Sequence, residues 1–423
     1  VDGSLASTVK EAHVRKIMAM GLKTMCEVGK DLSKDEVKLI AKTLVDSREK
    51  MTVCSVVTTN MCTKEPYLEK LASDYKEAVI KEYGKDVLSG KLLKDPPIRG
   101  PYGKAAINIK VGALPKRKRA FQMVGERAEA LKAILEEYKE RGWIETSYSE
   151  WGAPAFVVPK KVKGDWRLVV DYRALNQVTE HDAYQLPLIG DMLNRHGNKL
   201  VYTVLDMKKG YHQMPLSSSS RPFTAMTTPF GLWQWRVMPM GAKNGNAAFQ
   251  RMMDWVLEPF DFADPFVDDV IISSSGSTYE EALETHYKHI VLVLERLREC
   301  HLVCDMEKAQ MFVDEVEFCG LVLGGGKRRP SPGKLKALGK WERPRNVTEL
   351  RSFLGFCNCY HEYMDQFAEK AAPLLGMLQV GRDDGKKGSK KSLKWNDDAS
   401  RSFEVVKKSL LEKLELNILN PDA

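Results

Sequence analysis

The chain has eight cysteines but no Cys-x-x-Cys pair. Cys300-His301-x-x-Cys304 looks like half of a metal motif, yet no second half follows at zinc-finger spacing, so a structural zinc is excluded. The remaining cysteines, at 26, 54, 62, 319, 357 and 359, are scattered through apolar windows and read as reduced, buried thiols of an intracellular protein. No window approaches the ~20 apolar residues of a membrane span, and Val1-Asp2-Gly3-Ser4 has no signal-peptide pattern, so no membrane partner is expected. Asp2-Gly3-Ser4 is not the Asp-Thr/Ser-Gly of an aspartic protease. An initiator Met is lacking, as expected of a piece excised from a longer chain. Charge of one sign is also scarce: 65 Lys and Arg against 57 Asp and Glu leave only +8 over 423 residues. The excess is clustered, at Pro115-Lys-Arg-Lys-Arg119, Lys327-Arg-Arg329 and residues 380–394, which suits a polyanionic partner. With 43% hydrophobic and 29% charged residues the chain is an ordinary folded protein, long enough for about three domains at ~150 residues each.

Phe266-Val267-Asp268-Asp269, with Val270-Ile271-Ile272 behind it, sets two adjacent carboxylates in a β-favouring run. Inside a strand, neighbours face opposite sides; at a hairpin tip both can be exposed. There they repel unless a cation sits between them, and Mg²⁺, which prefers hard oxygen ligands, is the natural candidate. Alone, so short a motif reads more readily as an acidic, solvated turn. Upstream, a second β-rich run, Val201–Leu205, ends in Asp206, followed by Gly210 and Tyr211. A third carboxylate at a second strand end could complete a site for two divalent ions about 4 Å apart, which clamp the attacking and leaving oxygens of a phosphoryl transfer. Between the carboxylates, Ala247–Leu257 is a helix whose Phe249, Met252, Met253, Val256 and Leu257 stripe belongs to the core.

Ala155–Val158 and Trp166–Val170 make a hairpin turning at Gly164-Asp165, with cations at Lys160, Lys161, Lys163 and Arg167. Such a flap can close over a triphosphate, where Arg and Lys neutralise developing charge. Residues 1–95 read as helical windows, among them Leu68–Ile80, with Ser33-x-x-Glu36 as a capping box. Ile107–Val111 alternates like an edge strand. A helix through Leu131–Tyr138 stops at Gly142, and Thr278-x-x-Glu281 caps a long helix reaching Cys300. Phe312–Leu323 is β-rich, 324–333 reads as a flexible basic loop, and helices come after it over 333–341, 347–361, 362–379 and 397–414. Antiparallel strands backed by helices imply an α+β unit of ferredoxin-like type.

The motifs Trp151-Gly-Ala-Pro154, Arg167-Leu-Val-Val-Asp-Tyr-Arg-Ala-Leu-Asn176, Leu205-Asp-Met-Lys-Lys-Gly-Tyr-His-Gln213, Met238-Pro-Met-Gly241, Phe249-Gln250, Phe266-Val-Asp-Asp269 and Leu350-Arg-Ser-Phe-Leu-Gly355 occur in this order. From about Pro96 onward the chain thereby resembles the reverse transcriptases of gypsy-type LTR retrotransposons and, more distantly, of retroviruses. The resemblance implies a right-hand polymerase: fingers and the start of the palm over 96–200, a catalytic palm over 201–275, a palm helix and primer-grip strands over 276–325, and a helical thumb or connection over 326–423. Residues 1–95 carry no assigned role, and an RNase H domain is expected to be absent. The implied activity is RNA- and DNA-directed DNA synthesis. Asp206, Asp268 and Asp269 would hold two Mg²⁺ ions, with Mn²⁺ as a substitute. Lys160, Arg167, Tyr211 and Met240 would meet the nucleotide, Tyr211 as the gate against ribose, and Phe318, Cys319 and Gly320 would grip the primer. Expected partners are an RNA or DNA template with its primer, deoxynucleoside triphosphates, and a homo- or hetero-oligomeric mate. The expected location is the cytoplasm, in retroelement particles, with entry to the nucleus. Two rival readings are a polymerase-fold nucleic-acid-binding protein with little catalysis and an RNA-synthesising polymerase with the same palm. Three segments depart from the family pattern: Met240 stands for Phe or Gln, Gly245-Asn246 for Ala-Pro, and Asp264-Pro265 for apolar strand residues.

Overall fold

Val79 and Tyr83 lie four residues apart, on one helical face, and both are buried. They belong to α1 (Pro66–Tyr83) in a computed structural model that describes residues 66–97, 99–160, 164–379, 393–412 and 416–417. The described residues from Lys70 onward pack as one compact unit, and every described strand belongs to it. The helical windows and capping box expected before residue 66, with Cys26, Cys54 and Cys62, lie outside the described residues. Tyr75 stacks on Tyr287 at 4.7 Å, the Tyr83 hydroxyl donates to Glu295 at 2.7 Å, and Val87 and Leu88 are buried.

The first layer comprises α2 (Glu126–Glu140), β1 (Ile144–Thr146), β2 (Ala153–Pro159), β3 (Trp166–Val170) and α3 (Arg173–Val178). After α4 (Ile189–His196) and β4 (Val201–Asp206), the strands β5 (Met226–Thr228) and β6 (Gly231–Trp235) return to that layer. Its sheet runs β1-β6-β5-β2-β3. Trp143, Trp151, Tyr172, Met226 and Trp235 fill its core. The expected strand at 107–111 is absent. Ile109 makes a single bridge to Thr179, and the Ile107 N–H is taken by the Ser220 hydroxyl at 2.9 Å. A side chain supplies the partner a ladder would have used, so the alternation buries Ile107 without building a strand.

The second layer adds α5 (Gly245–Leu257), β7 (Ala263–Phe266), β8 (Asp269–Ser274), α6 (Tyr279–Glu299) and β9 (Gln310–Val313). The sheet is antiparallel, in the order β7-β8-β4-β9. Thr278 caps α6 as its spacing predicts, accepting from the Glu281 N–H at 3.2 Å. Ala282, Leu283, Ile290, Val293, Leu294 and Leu297 of α6 are buried, and each leucine or isoleucine so buried contributes roughly 1.5–3 kcal/mol.

Beyond it lie β10 (Glu315–Phe318), β11 (Leu321–Gly324), β12 (Lys327–Pro330), α7 (Pro332–Gly339), α8 (Val347–Asn358), α9 (Phe367–Gln379), α10 (Asp397–Glu412) and β13 (Leu416–Asn417). The basic stretch expected to be a flexible loop is strand β12. Gly325 and Gly326, both at positive φ, make the two-residue turn before it, and Arg328 pairs with Glu362 at 2.7 Å. The helices after β12 keep their own core around Leu350, Phe353, Leu374, Phe403 and Val406. Most of the basic loop expected at 380–394 lies outside the described residues.

Candidate active site

β4 and β8 pair with Asp206 directly opposite Asp269, so their side chains share one face with Cβ atoms about 5 Å apart. Phe266 also pairs with Asp269, which leaves Val267 and Asp268 as a two-residue turn. Val267 has φ 53°, in the left-handed region that a β-branched residue avoids, and holding it there costs about 1–3 kcal/mol. The compensation comes from α5. Buried Gln250 accepts the Val267 N–H at 2.7 Å. Its amide donates to the Pro265 carbonyl at 2.7 Å and to Asp254 at 2.8 Å. From the other side the Met207 N–H donates to the Asp268 carbonyl at 2.7 Å. Gln250→Leu strands one buried and one part-buried backbone group and is expected to lower stability by about 2–4 kcal/mol. Urea denaturation checks this; an unchanged midpoint would refute the clamp.

Asp268 Oδ1 is buried without a hydrogen-bond partner among the described residues. Burial first, then the charges of Asp206 and Asp269, push the Asp268 carboxyl up to about 6, against an opposing pull from Lys308. Burial and Asp206 likewise raise Asp269. A Cβ at position 210 would collide with Asp268 Oδ1 and the Phe249 ring, so only glycine fits there. The Lys308 ammonium lies 2.8 and 3.0 Å from the two oxygens of Asp206, and Asp305 binds Lys208 at 2.6 Å. Among the described residues no three His, Cys, Asp or Glu side chains already enclose one point as a metal shell. An orphaned buried oxygen and mutually raised carboxyls are nonetheless what a hard cation relieves. Lys308 escaped the sequence reading: it sits in a turn before β9, with no motif or periodicity around it.

Tyr211 lies on the 3-10 turn Gly210–Gln213. Its ring meets Phe249 edge-on at 5.7 Å, its hydroxyl donates to Asn246 Oδ1 at 2.7 Å, and burial with the charge of Asp268 raises its phenol. Gln213 anchors this turn, donating to the carbonyls of Lys208 and Val303 at 3.0 and 2.8 Å. Lys160 and Arg167 are both exposed on the β2–β3 hairpin, Arg167 opposite Val158 and Lys160 on Asp165 at 3.3 Å. The charge of Arg167 reaches Tyr138 and that of Lys160 reaches Lys209; the Lys209 ammonium lies 5.3 Å from the Tyr138 ring. The hairpin cations therefore border the loop after Asp206. Lys161 and Lys163 lie outside the described residues. Met240 is exposed in a turn held by Asn176, which donates to the Gly241 carbonyl at 3.0 Å and accepts from the Lys243 N–H at 2.9 Å.

Cys319 and Gly320 form the two-residue turn between β10 and β11, both at positive φ, as a type I′ turn requires. Burial, then the charge of Asp269, raises the Cys319 thiol to about 12, which brings this turn near the carboxylates. Phe318 does not join it: its ring is 1% exposed, packed with Tyr202, Val204 and Ile271. Any contact with a primer is left to its backbone. The Asp264-Pro265 departure is absorbed locally. β7 is an edge strand, where the missing proline N–H removes no ladder bond. Asp264 accepts from Arg195 at 2.9 Å and lies 2.9 Å from His196 Nε2.

The family described as reverse transcriptase (RNA-dependent DNA polymerase) matches residues 158–323. The Pol polyprotein of the Drosophila melanogaster transposon opus is 31% identical over 284 residues, covering 65% of this chain and 28% of that protein. The polyprotein of transposon gypsy, from the same organism, is 29% identical over 317 residues, covering 73% and 30%. The chain thus spans less than a third of these relatives' length. Among solved structures, a foamy viral protease-reverse transcriptase in complex with double-stranded DNA superposes with a TM-score of 0.68 at 20% identity, covering 87% of this chain and 61% of that one. The fold is that of a right-hand polymerase, and the matched family generally uses divalent metal ions.

Proposed function

We propose, from the match of residues 158–323 to the reverse transcriptase family and the similarity to retrotransposon Pol polyproteins, that this chain extends a primer 3′-hydroxyl with deoxynucleotides on an RNA or DNA template. The observation that carries the reading is the cross-strand pair Asp206–Asp269 beside the unpartnered oxygen of Asp268. These three carboxylates would hold two Mg²⁺ ions, with Mn²⁺ able to substitute. When bound, such ions polarise the attacking hydroxyl and neutralise charge on the triphosphate. The chain's own part is positional. Gln250 holds the turn bearing Asp268, Gly210 leaves room for its Oδ1, and Lys308 occupies Asp206 until a cation competes for it. Lys160 and Arg167 meet the triphosphate from the hairpin, Met240 borders the nucleotide, and Cys319 with Gly320 holds the primer end. Template–primer binds through phosphates, so its affinity falls steeply with salt.

Primer extension on matched RNA and DNA templates, with Mg²⁺ and each nucleotide type, tests the proposal. Template-dependent deoxynucleotide incorporation is expected. Binding without incorporation would favour the scaffold reading, and a preference for ribonucleotides the RNA-synthesising one. Arg167→Ala removes a charge-assisted phosphate contact and is expected to lower kcat/KM for the nucleotide by about 10- to 100-fold, with template–primer affinity little changed. Lost template binding with unaltered nucleotide kinetics would make Arg167 a template contact instead.

A further inference from the structure

We infer that Asn246 pins the ring of Tyr211 and thereby sets how strictly this enzyme excludes ribonucleotides, an inference that rests on Tyr211 standing beneath the nucleotide's sugar as proposed above. A steric gate discriminates only if its ring stays in place when a 2′-hydroxyl presses on it; a ring free to change rotamer yields. The Tyr211 ring has few constraints of its own. Its backbone sits on a turn anchored by Gln213, and Phe249 meets it only edge-on, at 5.7 Å. Gly245 offers the ring no side chain: a Cβ there would stand 3.6 Å from Tyr211 Cε1. What holds the far end of the ring is the 2.7 Å hydrogen bond from its hydroxyl to Asn246 Oδ1. Asn246 is exposed, in the first turn of α5, and its contribution to the core is small. Its amide is placed to position the gate without touching the reacting atoms, which makes it a positioning residue. The Gly245-Asn246 departure from the family pattern is then functional: the glycine adds no side-chain contact to the ring, and the asparagine secures its tip.

The test is single-nucleotide primer extension, comparing kcat/KM for matched deoxyribo- and ribonucleotides in the wild type, Asn246→Ala, Tyr211→Phe and the double variant. Tyr211→Phe keeps the ring and deletes the hydroxyl. Each single variant is expected to lower the deoxyribo-to-ribo ratio by about three- to tenfold, the range of one ordinary hydrogen bond. The double variant is expected to match either single one, since both remove the same bond. Asn246→Asp, which keeps an acceptor, is expected to retain the wild-type ratio. An unchanged ratio in Asn246→Ala, or effects that multiply in the double variant, would overturn the pin. Tyr211→Val separates this from failure of the underlying reading. If it relaxes selectivity while Asn246→Ala and Tyr211→Phe do not, the gate stands and the pin falls; if it changes nothing, the gate itself is misplaced.

Discussion

Asp206→Asn is expected to lower primer extension by about 10³-fold or more, the scale of losing a metal-held charge in phosphoryl transfer, while template–primer binding stays within a few fold. Asp268→Asn should do the same, with a second signature that a merely structural residue would not give. Its carboxyl is pushed up to about 6 by burial and by its two acidic neighbours. The folded, metal-free protein therefore holds that proton more tightly than the unfolded chain. The stabilising contribution is present below the ordinary carboxylate value and is lost as pH rises through about 6. At neutral pH the ionised Asp268 destabilises the metal-free fold. Asn, uncharged at every pH, removes that burden and is expected to raise stability by about 1–2 kcal/mol after allowing for partial exposure. Thermal denaturation in chelator, at pH 5 and pH 8, measures it: a gain at pH 8 that is smaller at pH 5 and disappears only below the ordinary carboxylate value. The same titration predicts that activity falls, and the metal concentration needed rises, as pH drops through about 6, because ligand oxygens must be deprotonated. Near-wild-type extension by either variant would sink the mechanism.

Tyr211→Val is expected to raise ribonucleotide use relative to deoxyribonucleotide use by about 100-fold or more, a larger change than loss of the Asn246 hydrogen bond alone. A ring under the sugar leaves a 2′-hydroxyl either clashing or buried without a partner, and an unpaired buried hydroxyl costs about 1–3 kcal/mol on its own. Valine opens that space while keeping an apolar side chain on the turn. Deoxyribonucleotide kcat/KM should fall only moderately. Single-nucleotide extension with each sugar reads the ratio, and unchanged selectivity in a folded, active variant would remove Tyr211 from the role.

Much of this was legible in the linear chain, and the legible parts share a cause. Asp206 and the Asp268-Asp269 pair lie beside runs of β-branched residues, the Thr278 cap and the α6 stripe are periodic, and each of these signals is local. The errors were also local in origin. The alternation at 107–111 is real, but Ser220 supplies the hydrogen bond that a neighbouring strand would have made. The glycines at 325 and 326, read as a sign of flexibility, are what a tight turn into β12 needs. Phe318 is a different case: its place in a motif assigns it to the primer, and its burial, set by Tyr202 and Ile271 far away in sequence, leaves its backbone for that role.

The sequence by itself determined the chemistry on offer: which residues carry carboxylate, guanidinium and phenol, and which strands and helices present them, because residue type and period act over a few positions. Only the tertiary structure decided how those groups meet. It set Asp206 across from Asp269 through strand register, brought Lys308 onto Asp206 from over a hundred residues away, and left Asp268 Oδ1 without a partner. It also braced a strained Val267 with Gln250 from a different element. Those relations depend on which elements pack together, and electrostatic and hydrogen-bond energies are steep functions of separations that no local pattern contains.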